Sequence, residues 1–135
     1  MEEVNLQTDR EKLERYQAGG LMGQLIAIQL HLEDIHKGKD LAFCKSCMKN
    51  KHLLGISVLA SECLDVCRPE KLWKDLAKWA DDFREKKVNS EYLSKENPKT
   101  LELRNQARTF RKQLEQIAEG NIAPETESPR QKHVR

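Results

Sequence analysis

The sequence has little of the material from which β-sheets are built. Valine and isoleucine together supply 11 of the 135 residues, glycine supplies 6, and aromatic residues make up 5%. Because β-branched and aromatic residues favour strands, this scarcity argues against a sandwich or a parallel sheet. About half of the chain is alanine, glutamate, lysine, leucine or arginine, a proportion typical of long helices and bundles. We therefore expect an all-α protein.

The chain also lacks a large excess of charge of one sign. Lysine and arginine number 24 against 22 aspartates and glutamates, so the formal net charge is +2. Proteins that bind nucleic acid through electrostatics usually carry a clear basic excess, so nucleic acid is not the expected partner. Arg104, Arg108 and Arg111 nevertheless form a cationic ridge at helical spacing. They keep a nucleic-acid accessory role open as a second alternative.

No apolar run reaches the roughly 18 residues of a membrane span, so no membrane association is expected. The first residues, MEEVNLQTDREK, are acidic and polar, whereas a signal peptide begins with a basic region followed by an apolar one. We expect a cytoplasmic protein. In that compartment the four cysteines would be reduced, metal-bound or redox-active rather than paired in structural disulfides.

Apolar residues recur at helical spacing in four segments joined by short connections. This pattern predicts an up-down four-helix bundle over residues 1–120, with residues 121–135 as a flexible tail too polar to be held by burial. Apolar residues beyond the strict stripes indicate a homodimer or a protein partner that binds the apolar helix faces. The predicted helices run from Thr8 to about Ile35, from about Phe43 to Val66, from Pro69 to about Val88, and from Pro98, capped by Asn97, to Gly120.

Cys44 and Cys47 form a C-x-x-C motif at the start of the second predicted helix. An antiparallel hairpin would bring the end of the first helix, with His31 and His36, beside this motif, and His52 follows Cys47 by five residues. Thiolates and imidazoles are the usual ligands of a structural zinc ion. We therefore expect these five side chains to supply a metal site, with zinc as the candidate cofactor, or a thiol clip. A thiol pair without a ligand role is the alternative.

Cys63 and Cys67 cannot join that site on a continuous helix. Cys63 follows Cys47 by 16 positions, a rise of about 24 Å along a helix, whereas two sulfur ligands of one zinc ion lie no more than about 5 Å apart. Both cysteines fall on the apolar stripe of the second helix, which predicts buried thiols. A disulfide or a ligand role for this pair stays open.

The order Glu33, Cys44, Cys47, His52 resembles the Glu…C-x-x-C…His arrangement of the all-helical alkylhydroperoxidase D-type (carboxymuconolactone decarboxylase-like) family. In that family the cysteine pair reduces peroxides, and the carboxylate and the histidine relay protons. The resemblance implies, as the alternative function, a thiol redox enzyme that uses Cys44 and Cys47. The family histidine follows the second cysteine by four residues, but here Lys51 is fourth and His52 is fifth. On an α-helix this extra residue turns the side chain by about 100°.

A longer segment, residues 31–63, is similar to small uncharacterised helical proteins of archaea and of their viruses or phages. The shared features are a histidine-bearing helix, a C-x-x-C motif and a Lys-His-Leu sequence on the next helix, here Lys51, His52 and Leu53. No activity comes with this resemblance. It implies that Cys44, Cys47 and His52 form one local unit.

The function that we expect from the sequence is a binding or assembly role rather than catalysis. The protein would be small, cytosolic and helical, and its metal site or thiol clip would tie the hairpin of the first two helices together.

Overall fold

The computed structural model describes residues 2–89 and 91–120, and for residues 2–8 it describes the backbone alone. The first helix, α1, spans Glu2–His36 and begins earlier than the sequence predicts. It is followed by a turn in which Gly38 has a φ of 81° and donates its N–H to the carbonyl oxygen of Ile35 at 2.9 Å. Because glycine adopts positive φ without steric cost, Gly38 lets the helix stop and the chain reverse.

One continuous helical rod follows, with a π-helical turn in its middle. Helix α2 spans Leu41–Cys47, the π-helical turn spans Met48–His52, and α3 spans Leu53–Glu62. The residues at both joints keep right-handed helical dihedral angles, so the rod is not broken. The sequence predicts a helix here but not its π-helical turn.

The second half of the chain holds two more helices. Helix α4 spans Glu70–Asp82 and continues into a second π-helical turn, Phe83–Lys87. Helix α5 spans Pro98–Ala118, and the side-chain oxygen of Asn97 accepts a hydrogen bond from the N–H of Lys99 at 2.9 Å. This bond satisfies one of the free donors at the start of α5 and is the N-cap that the Asn-Pro sequence predicts.

Helix α1 packs along α5 over most of its length, and the two helices are antiparallel. Near the end of α1, Glu33 forms an ion pair with Arg104 near the start of α5, with 3.0 Å between the oxygen and the nitrogen. In the first half of α1, Arg15 lies beside Gly120, just past the end of α5. These two contacts fix the relative direction of the helices.

The α2–α3 rod is also antiparallel to α1. The ring of Phe43, early in the rod, packs against His31, late in α1, with 5.9 Å between ring centroids. At the other end the side-chain amide of Gln17, on α1, donates to the carbonyl oxygen of Leu59, on α3, at 3.3 Å. The turn around Gly38 therefore makes a helical hairpin, which is the arrangement that the predicted site requires.

Helix α4 bridges α3 and α5. The hydroxyl of Ser57, on α3, donates to the carboxylate of Asp81 at 2.7 Å. The indole N–H of Trp79 donates to the side-chain oxygen of Gln106, on α5, at 2.8 Å. Every helix contributes to one apolar core: Ala18, Leu21, Leu25, Ile28, Leu32, Ile35, Cys44, Met48, Leu53, Ile56, Ala60, Cys63, Cys67, Leu72, Trp73, Leu76, Ala80, Phe83, Leu93, Leu103, Ala107, Leu114 and Ile117.

The prediction of an all-α chain is confirmed, since residues 2–89 and 91–120 contain helices and no β-strand. The finer prediction, an up-down four-helix bundle, stays a prediction that the antiparallel contacts support. The predicted tail, residues 121–135, lies outside the described residues. Among the helices of the described part, none combines the length and the apolar character needed to cross a membrane.

Candidate metal centre

Two histidines and one cysteine meet where α1 packs against the α2–α3 rod. His31 lies on α1, Cys47 is the last residue of α2, and His52 is the last residue of the π-helical turn. One ligand atom from each side chain lies within 4.8 Å of the other two. Imidazole nitrogen and thiolate sulfur are donor types that a zinc-like ion prefers, so this group could hold one.

The π-helical turn brings His52 next to Cys47. On a regular α-helix, residues five apart point about 140° away from each other. In a π-helix the backbone bonds run between residues five apart, so such residues come to lie above one another. The sulfhydryl of Cys47 accordingly donates to Nε2 of His52, with 3.3 Å between sulfur and nitrogen. The π-helical backbone therefore accommodates the extra residue between Cys47 and His52, and the two side chains stay in contact.

Gln24, on α1, orients the ring of His52. Its side-chain oxygen lies 2.6 Å from Nδ1 of His52. Because a carbonyl oxygen only accepts hydrogen bonds, Nδ1 carries the proton and donates it. Nε2 is then the nitrogen with a free lone pair, and it is the one that faces Cys47. Metal-binding histidines are commonly oriented by such a bond from the nitrogen that does not bind the metal.

His31 completes the group from the side of α1. Its ring centroid lies 5.5 Å from that of His52, and the ring of Phe43 packs edge-on against it. Nδ1 of His31 is buried, and within the described residues it has no hydrogen-bond partner. A buried polar atom without a partner is costly, and a metal ion bound at Nδ1 would offset that cost.

The electrostatic environment favours neutral imidazoles, the form that binds metal. Burial is the main cause that lowers the pKa of His31, and the nearby Asp34 opposes it. Burial also lowers the pKa of His52, and the neighbouring His31 and Lys51 lower it further. Both rings are therefore held in the deprotonated state near neutral pH.

Three of the five residues predicted as metal ligands lie together, and two do not. Cys44 is only 2% exposed, belongs to the core, and lies outside the group of His31, Cys47 and His52. Burial is the main cause that raises the pKa of the Cys44 thiol. The nearby Asp34, Asp40 and Cys47 raise this pKa further. His36, the last residue of α1, is exposed and also lies outside the group.

Glu33, the carboxylate of the redox alternative, does not join the group either. Its side chain forms the ion pair with Arg104 on α5.

The cationic ridge also contacts α1 through Arg111, which donates through Nε to the side-chain oxygen of Gln29 at 3.1 Å. Two of the three arginines that kept a nucleic-acid role open are thus engaged with α1.

Cys63 and Cys67 lie in the core at the opposite end of the rod, and both are free thiols. Burial is the largest cause that raises the pKa of each thiol. Their burial agrees with the interpretation of this pair as core thiols separate from the first pair.

Sequence reasoning missed two residues of the site, Gln24 and Gly55. A Cβ atom added to Gly55 would lie 3.2 Å from Nε2 of Gln24, so the glycine leaves room for the side chain that orients His52. Neither residue carries a sequence signal, because a glutamine on a polar helix face and a single helical glycine are both common.

Comparisons of this chain with protein-family models, with curated proteins and with solved structures found no significant match.

Proposed function

We propose that this chain is a small metal-binding helical protein in which His31, Cys47 and His52 hold a zinc-like ion. The observation that carries the proposal is the meeting of three donor atoms from two helices within 4.8 Å. An ion held there ties α1 to the α2–α3 rod and adds its binding free energy to the stability of the folded chain. This structural effect favours a role in binding or assembly rather than in catalysis.

The spacing of the Cys47 and His52 donor atoms suits tetrahedral coordination. A nitrogen and a sulfur bound to one tetrahedral zinc ion lie about 3.5 Å apart. The sulfur of Cys47 and Nε2 of His52 already lie 3.3 Å apart. Binding would replace the proton between these atoms by the ion, with little movement of either side chain.

Metal analysis of the purified full chain tests this proposal. We expect close to one equivalent of zinc per chain, and we expect Cys47→Ser and His52→Asn to abolish tight binding because each removes a ligand. Cys63→Ser is the matched control, since it removes a core thiol outside the group. Zinc binding that survives Cys47→Ser, or that is lost equally in Cys63→Ser, would contradict the assignment.

We also propose that the helices form an up-down bundle and that two copies associate through exposed apolar faces, in the cytoplasm. Free thiols at all four cysteines fit a reducing compartment. Several large apolar side chains are exposed to solvent, which supports a contact with another protein chain. These are Leu13, Tyr16, Ile26, Leu30, Phe43, Leu54, Val58 and Val66.

Light scattering on the protein as it elutes from a size-exclusion column measures its mass in solution and so tests this association. We expect the mass of a dimer for the wild type and of a monomer for Leu30→Glu, because a carboxylate on the exposed face opposes apolar contact. Glu102→Lys, which changes charge at an exposed position of α5 instead, should remain dimeric. A wild-type monomer at every concentration would remove the dimer proposal.

The thiol redox enzyme is a second candidate function, and one observation favours it. Cys47, His52 and Gln24 form a nucleophile, a base and an orienting group, with separations of 3.3 and 2.6 Å. Cys44, three residues earlier, would be the resolving thiol. Its buried position and raised pKa, and the engagement of Glu33 with Arg104, favour the metal role over this one.

Reaction rates separate the two functions. In the redox case Cys47 of the chelator-treated protein reacts with hydrogen peroxide far faster than a free cysteine does at neutral pH, and Gln24→Ala slows it. A rate equal to that of free cysteine would remove this candidate. Mass spectrometry of the products identifies which of Cys44 and Cys47 has reacted.

A further inference from the structure

The group at the hairpin offers three protein ligands, whereas a tetrahedral ion takes four. Structural zinc sites are usually closed by four protein ligands, and sites with three keep a position for an exogenous donor. Among the side chains that the structure describes, those of residues 9–89 and 91–120, the group consists of His31, Cys47 and His52 alone. The ligand set therefore has the composition of an open site.

Nearby groups that could close the site lie elsewhere. Cys44 is buried in the core, on the side of α2 that packs inward. Asp34 influences the pKa of both His31 and Cys44, yet its carboxylate lies outside the group. Closing the site with either residue would need a change of side-chain or helix position.

The members of the site differ in how far they are buried. His52 is only 8% exposed and faces inward, towards Gln24. His31 and Cys47 are both half-buried, so part of each side chain reaches the surface. An ion between them would therefore lie close to the surface of the hairpin.

Charge and donor chemistry define the ligand that this position would take. A divalent ion with one thiolate and two neutral imidazoles keeps a net charge of +1, which favours an anionic fourth donor in a partly desolvated site. Thiolates suit ions of the zinc class. We infer that the ion, bound as proposed above, keeps one coordination position open and that a low-molecular-weight thiolate is the class of ligand that fills it.

Cobalt(II) provides the test, because its visible spectrum reports both geometry and sulfur ligation. The full chain is loaded with cobalt(II) and titrated with azide and, separately, with 2-mercaptoethanol. We expect each probe to shift the visible bands to saturation at one ligand per ion, and the thiol to add intensity in the sulfur-to-cobalt charge-transfer region. A tetrahedral cobalt spectrum that neither probe changes would overturn the inference while leaving the proposed metal site intact.

Variants identify any protein group that closes the site. Cys44→Ser and Asp34→Asn should bind cobalt(II) with the wild-type spectrum and respond equally to azide. A loss of charge-transfer intensity in Cys44→Ser, or an azide response that appears only in Asp34→Asn, would show a fourth protein ligand and overturn the inference. Failure of cobalt(II) to bind the wild type at all would instead contradict the proposed function.

Discussion

Gln24 determines which nitrogen of His52 faces Cys47, and it does so through one hydrogen bond of 2.6 Å. Without this acceptor the His52 ring can rotate or change its tautomer. Ordering the ring then reduces the net free energy of ion binding. Loss of such an outer partner typically lowers metal affinity by about 10- to 100-fold. We expect this loss for Gln24→Ala, measured by competition with a chromophoric chelator. Gln29→Ala, which removes the partner of Arg111 instead, should keep the wild-type affinity.

Gly55 and Gly23 make a matched pair, because only one of them has a neighbour in the space where a Cβ would lie. At Gly55 an added Cβ would meet Gln24 at 3.2 Å, whereas at Gly23 nothing lies within 4 Å. At an exposed position inside a helix, alanine is more favourable than glycine by about 1 kcal/mol of folding free energy. We therefore expect Gly23→Ala to raise the free energy of unfolding with unchanged metal affinity, and Gly55→Ala to weaken metal binding by displacing Gln24. Urea unfolding and chelator competition measure the two effects, and equal affinities in both variants would contradict this role of Gly55.

At the scale of helices and turns, the sequence predicts where the apolar stripes lie but not how the backbone departs from the α-helix. The N-cap at Asn97 is readable because its chemistry is local to the helix start. The π-helical turn Met48–His52 is not readable, because tertiary packing decides whether one extra residue turns the rest of the helix or stays in a local bulge. For this reason the sequence names Cys47 and His52 as candidates but leaves their contact open.

Deleting one residue tests this description of the π-helical turn. Asn50 is exposed and lies within the turn, so its removal should restore a regular α-helix in which the histidine follows Cys47 by four residues. We expect the deletion to keep the fold and the metal site. Deleting the exposed Val58 within α3 should instead rotate part of the rod out of the core and cost at least about 2 kcal/mol. Unfolding by urea distinguishes the outcomes, and equal destabilisation by both deletions would contradict the bulge.

For the molecule as a whole, the hairpin site couples protonation to stability. Burial lowers the pKa of His31 and His52 in the folded chain, whereas in the unfolded chain both titrate near their usual pKa of about 6.5. Below that pH the unfolded state binds more protons than the folded state, so the free energy of unfolding falls as the solution is acidified. The proposed metal binding would add to this dependence, since protons compete with an ion for the same nitrogens.

Stability measured as a function of pH on the chelator-treated protein tests this coupling. Between about pH 5 and pH 7 the free energy of unfolding should rise with pH. His52→Gln should reduce the slope of this rise because one coupled group is gone. His36→Gln is the matched control, since His36 is exposed at the end of α1 and outside the group. The slope is the decisive quantity, because His52→Gln also removes the hydrogen bond to Gln24 and so lowers stability at every pH. If the slope is flattened equally by both substitutions, or by neither, the buried imidazoles do not set the acid sensitivity of this fold.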